Sequence, residues 1–163
     1  MKKVICTIMI LTVFATFTGC KQRYNFSVQY IRANQISSLK EIEYNSVVLV
    51  NSLWQLREYY SENCEFFDFT IAHDNIISFD DAIKKYDDVF FEKNTLAVVL
   101  LSEGSGSVRH RVASAVKNED RIDINIRRRS PKVVTDDEAQ WHIIIELKKT
   151  DVPEDARFSV NVT

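Results

Sequence analysis

His110 and His142 are the residues best suited to acid–base or metal chemistry, because imidazole titrates near neutrality and ligates zinc. With Glu146 or Asp136 they would make a zinc site or an acid–base pair. The spacing speaks against both. His142 and Glu146 share one face of one strand but stand about 13 Å apart at about 3.3 Å per residue, too far to share an ion. His110 would have to come in from a neighbouring strand. The plainer expectation is two half-buried, hydrogen-bonded histidines, with neither a metal nor a cofactor; His73, in a polar loop, carries no signal.

Gly104-Ser105-Gly106 has the look of a phosphate-binding loop. Such a loop opens a helix and brings a Lys-Ser or Lys-Thr pair, whereas here a strand follows, so a hairpin turn is expected. Ser105 has no base partner in sequence, and no Gly-x-Ser-x-Gly elbow is present, which disfavours a hydrolase. Cys64, between Asn63 and Glu65, has no basic neighbour to lower its pKa and reads as a bystander. The expectation is therefore a protein that is not an enzyme.

The most unusual feature is basic. If the segments Ser107 to Val116 and Arg121 to Arg129 form a hairpin that aligns Val112 with Ile126, then Arg109 and Arg111 lie directly opposite Arg129 and Arg127 on one face. Like charges so placed destabilise a sheet. They are tolerated where acids such as Glu103 or Asp123 intervene, or where an anionic partner supplies the countercharge. The bland reading is a solvated face neutralised by its neighbours. The sharp reading is a docking patch for an anionic polymer, surface or acidic segment.

The elements that must position these residues follow from local pattern. Tyr24 to Arg32 and Val47 to Val50 read as strands. Ser52 caps a helix with Leu53, Leu56 and Tyr60 on one stripe and Trp54 near its edge, ending near Asn63. Ser78-Phe79-Asp80-Asp81 resembles a capping box and opens a second helix with Phe79, Ala82, Ile83 and Tyr86 on one face. The unbroken Leu96 to Leu101 run predicts a central strand buried on both faces. Val108, His110, Val112 and Val116 alternate to one side, as do Ile122, Ile124 and Ile126, with Lys117 to Asp120 as the hairpin linker. Trp141, Ile143, Ile145 and Leu147 form a further alternating strand, and Phe158, Val160 and Val162 a last one. Together these predict an α+β fold: a mostly antiparallel sheet of about five to seven strands with two helices packed against it.

The chain begins with Lys2 and Lys3, an apolar run from Val4 to Phe17, and then Thr18-Gly19-Cys20. This is the plan of a secretory signal. A Gly-Cys pair straight after the apolar core resembles the lipobox of bacterial lipoproteins, which predicts a signal peptide over 1–19, cleavage between Gly19 and Cys20, and lipidation of Cys20. The run is too short for a membrane-spanning helix and is followed at once by Lys21 and Arg23. The lipid would hold residues 20–23 at a cell membrane or outer membrane, with a single domain over 24–163 outside the cytoplasm. The cysteines then leave Cys64 alone, so no intramolecular disulfide can form. Without Lys2 and Lys3 the chain has 19 basic against 23 acidic side chains, a balance near −4 that argues against a nucleic-acid partner.

The run Asn94 to Leu101, then Gly104-Ser105-Gly106-Ser107-Val108 and a strand hairpin, resembles the C-terminal domain of PrcB-type protease-complex subunits over roughly Val47 to Thr163. The family has Gly-Gly-Tyr-Ser-Val at that turn. The segment is also similar to a group of uncharacterised lipoproteins with Ser-Gly-Ser-x-Arg-His and Trp-His motifs, matched by Ser105 to His110 and Trp141-His142. The resemblance implies a non-catalytic module that binds or stabilises an exported protease or another envelope protein, and it carries over no functional residue. Binding of an anionic envelope polymer through the arginine face is the alternative expectation.

Overall fold

The computed structural model describes residues 22–39, 41–73, 76–153 and 155–163; the expected signal peptide and the expected cleavage and lipidation site at Gly19 and Cys20 lie outside them. The first sheet is built from β1 (Phe26–Arg32), β2 (Ser46–Val50), β3 (Asn94–Glu103) and β6 (Ala139–Lys148), in the antiparallel order β1-β6-β3-β2. The second holds β4 (Arg109–Asn118), β5 (Arg121–Arg129) and β7 (Arg157–Val162), with β7 parallel to β5. Helices α1 (Leu53–Asn63), α2 (Phe79–Ile83) and α3 (Asp88–Lys93) complete the α+β fold.

The strands are those read from the sequence, but they form two sheets and three layers. The four-stranded sheet is the middle layer. Its even-numbered residues on β3 and β6, among them Leu96, Val98 and Ile144, pack under α1–α3 and the segment carrying Phe67 and Phe69. Its odd-numbered residues, among them Val99, Trp141, Ile143 and Ile145, pack against Ile122, Ile124 and Ile126 of the second sheet. This explains why β3 reads as one apolar run, and β6 proves equally central: nearly every residue from Ala139 to Leu147 is buried. Alternation on β6 marks two buried faces, where period-2 patterning alone suggests one wet side.

Local signals placed the helices well. Ser52 Oγ accepts from the Gln55 backbone N–H, and Ser78 Oγ from that of Asp81, each satisfying a donor the helix cannot. Leu56 and Tyr59 are the buried residues of α1, whereas Trp54 is 66% exposed and off the stripe. The short α3, capped by Asp87, was not read from the sequence. Two corrections concern β3 to β5. The Gly104-Ser105-Gly106 loop is a turn but not a hairpin, since β3 and β4 belong to different sheets. A register shift between Val112 and Ser114 flips the phase of β4, so that Ala115, not Val116, opposes the inward Ile124. Gln22 and Arg23 are already paired with this stretch: Lys117 N–H donates to the Gln22 carbonyl, and Arg23 bridges Val116.

Candidate functional site

The β4–β5 hairpin aligns Arg109 with Arg129, Arg111 with Arg127 and Val112 with Ile126, the register expected from the alternation. All four arginines are exposed; Arg111, Arg127 and Arg129 belong to the outer face of the second sheet, whereas the Arg109 guanidinium turns towards the Gly106 loop and the Trp141 ring. Among the described residues, the acids of this face with assigned partners lie at its other end. Asp123 accepts from Ser159 Oγ at 2.6 Å, Asn118 Nδ2 at 2.7 Å and Arg121 Nε at 2.8 Å. These donors, the Ser159 hydroxyl foremost, outweigh burial and hold its carboxyl below the usual range. Asp120 stands 3.9 Å from Arg157. Between the ends runs a polar ladder in which Asn125 donates to Ser114 Oγ and Asn161 to Asn125 Oδ1. Among the described residues no carboxylate lies within ion-pair distance of Arg111, Arg127 or Arg129. Glu103, one possible neutraliser, is turned the other way.

Arg128 and His110, facing each other across the hairpin, point inward and meet Glu103. The guanidinium grips both carboxylate oxygens, at 3.0 and 2.9 Å, and His110 Nε2 lies 2.8 Å from Oε1. Burial, aided by Arg128 and Arg109 and opposed by Glu103, lowers the His110 pKa. Its neutral ring donates Nε2–H to Glu103 and leaves Nδ1 as an acceptor without a partner. Beside it, 5.5 Å between centroids and edge-on, is Trp141, whose Nε1–H is also buried and unpartnered. The Arg109 guanidinium lies 5.5 Å from the Trp141 ring centroid, and Arg109 Nη1 donates to the Gly106 and Val108 carbonyls. Gln29, Tyr30, Ile76 and Ile77 join these three residues around a cleft of about 480 Å³.

The glycine loop binds its own anion. Asp137 accepts from the Gly106 N–H at 3.1 Å and from Arg32 Nη2 at 2.6 Å, and Thr135, Arg32 and Gly106 hold its carboxyl near a pKa of about 2. A Cβ at Gly106 would sit 2.3 Å from Asp137 Oδ2 and 2.4 Å from Arg32 Nη1, so the glycine is required for close approach and not for a ligand. Ser105 Oγ lies within hydrogen-bond distance of Ser107 Oγ and Thr135 Oγ1, fastening the loop to the 130s segment.

His110 and His142 do not come together. His142 faces the helix layer, whereas His110, on β4 of the second sheet, points in towards Trp141, so the two lie on opposite sides of the four-stranded sheet. His142 is fully buried, near-perpendicular to Phe67 and Phe69 at 4.7 and 5.1 Å and tilted at 69° to Phe79, with no hydrogen bond to either nitrogen. It is therefore not the hydrogen-bonded residue expected. Glu146 is tied to Lys85 Nζ, Ser27 Oγ and Tyr86 Oη, a clasp between the turn after α2 and the sheet. Among the described residues no group of three His, Cys, Asp or Glu side chains could hold a metal ion.

Compared with protein-family models, curated proteins and solved structures, the chain matches none. The resemblance to PrcB-type subunits thus rests on the residues quoted for it. Of the site, sequence reading found the four arginines and their register. It missed the Glu103–His110–Arg128 cluster and the cleft. The available signals were Glu103, an acid closing an apolar strand, and Arg128, the one arginine of Arg127–Arg129 out of phase with the ladder.

Proposed function

We propose that this chain is a non-catalytic binding module, held at a membrane surface through lipid on Cys20, that docks an anionic polymer of the cell envelope on its arginine ladder. The observation that carries this reading is the pairing of Arg111 with Arg127, with Arg129 beside them, on an exposed face whose described carboxylates are committed at the far end. Two arginines across a strand pair stand about 5 Å apart and two along a strand about 7 Å, a grid suited to repeating phosphates or carboxylates that take forked, charge-assisted bonds. The face is polar around the arginines, with Asn125 and Asn161 next along the sheet, and its described strand residues offer no aromatic anchor for a protein partner.

The test is binding of the full chain, in non-ionic detergent, to immobilised poly(glycerol phosphate), with dextran as the neutral control. Binding should weaken with added salt, and Arg111→Glu with Arg127→Glu should reduce it by at least tenfold. Equal binding by the double variant would overturn the proposal.

A second reading, docking to an exported protease or other envelope protein, draws support from Trp54, which is 66% exposed on α1 and of the type that anchors protein interfaces. Partner capture from cross-linked envelopes that is lost with Trp54→Ala and kept in the arginine double variant would favour it.

A further inference from the structure

The start of the described chain is fastened to one end of the second sheet. The Lys117 N–H donates to the Gln22 carbonyl at 2.8 Å and the Tyr24 N–H to the Ala115 carbonyl at 2.9 Å, with Arg23 bridged to Val116 between them. Tyr24 is 5% exposed and packs in the inter-sheet core, so Gln22 to Tyr24 is a paired edge of β4. Tyr24, Lys117, Asp120, Pro153 and Asp155 line one small cavity, which sets the β4–β5 turn and the loop before β7 around the point where Gln22 enters. With Cys20 read as the lipid-bearing residue, two peptide steps separate the anchor from Gln22, a reach of at most about 7 Å at about 3.6 Å per residue. That reach leaves no room for the domain to turn its other end to the bilayer.

We propose that the end of the domain formed by the β4–β5 turn and the loop before β7 rests on the phospholipid headgroups around the anchor, so that β4 and β5 rise from the bilayer and hold the arginine ladder outward. The inference rests on lipid at Cys20, as proposed above, and adds the surface that meets the membrane. What this end exposes suits headgroups and not the acyl region. Lys117, Arg121 and Arg157 are interspersed with Glu119, Asp120 and Asp155, a mixture that matches zwitterionic headgroups, and none of the large exposed apolar side chains among the described residues lies on the turn or the loop. The ladder begins at Arg127, about 20 Å along β5 from Arg121 at about 3.3 Å per residue. That is more than twice the screening length of about 8 Å at physiological salt, so the bilayer's own phosphates do not compete for the ladder, and its ligand must be a polymer that extends from the surface.

The test uses the protein purified from membranes and reconstituted in phosphatidylcholine vesicles that carry a nitroxide on the headgroup. In a Cys64→Ser background, a fluorophore is attached at Asp120→Cys on the turn or at Arg129→Cys at the ladder end, both exposed positions. The Asp120→Cys label should be quenched at least about threefold more than the Arg129→Cys label, which stands roughly 25 Å further along the hairpin. A Gly/Ser insertion of about 12 residues between Lys21 and Gln22, with an r.m.s. span of about 20 Å, should bring the two labels to equal quenching without touching the folded domain. Mass spectrometry of the same preparation separates the two ways of failing. An unmodified Cys20 overturns the anchor reading and this proposal with it. A lipidated Cys20 with equal quenching at both positions, or with a contrast that survives the insertion, overturns the proposal alone and leaves the anchor standing.

Discussion

His142 shows how far a single residue can depart from its ordinary chemistry. Encased by Phe67, Phe69, Phe79 and Tyr59, it has its pKa pushed down to about 3 by burial alone. The near-perpendicular rings allow the positive edge of one to meet the negative face of another, which stabilises a neutral imidazole and gives a charged one no counterion. Since the unfolded chain takes up this proton near pH 6.5 and the folded chain only near pH 3, the contribution to stability is complete above pH 6.5 and is lost as pH falls towards 3. The loss should be roughly 1 kcal/mol per pH unit in that window. His142→Phe keeps ring contacts without a proton site. Urea denaturation between pH 4 and 7 should show a shallower loss of stability on acidification in this variant than in the parent, and equal slopes would mean that His142 is not held neutral. Nothing in the residue's own sequence context announced this, because its cage is assembled from α1, α2 and the segment between them.

At the scale of the element, the β4–β5 hairpin combines a register favoured by its apolar face with a charge pattern that opposes it. Val112, Ile122, Ile124 and Ile126 are buried and specify the pairing, and that same register forces arginine against arginine on the outer face. Like charges directly opposite cost a few tenths to about 1 kcal/mol per pair. Arg127→Thr, a good strand former, should therefore raise the melting temperature by a few degrees at low salt, with a smaller gain at high salt. A destabilised variant would mean that the guanidinium stems contribute packing that outweighs repulsion. The pairing was legible because alternation is a local property of each strand. The flip at Ala113 was not, since a bulge changes the phase without changing composition.

In the whole molecule the four-stranded sheet serves two cores at once. Ile144 belongs to the helix-side core and Ile143 to the inter-sheet core, one residue apart on β6, and both are fully buried. Damage to either face should loosen both. Ile143→Ala and Ile144→Ala are each expected to cost about 2–5 kcal/mol, in a single transition followed alike by tryptophan fluorescence and far-UV circular dichroism. Two separated transitions in either variant would show that the layers fold independently.

Period-2 alternation, serine caps and an apolar run disclosed every strand, two of three helices and the facing arginines, because each depends on residues a few positions apart. The layering of the sheets, the cleft, the pairing of Glu103 with His110 and Arg128, and the reason for Gly106 depended on tertiary structure. Gly106 is a glycine because Arg32 and Asp137, 74 residues before it and 31 after, close an ion pair against its backbone. Such contacts are set by the packing of distant segments, which no local period encodes.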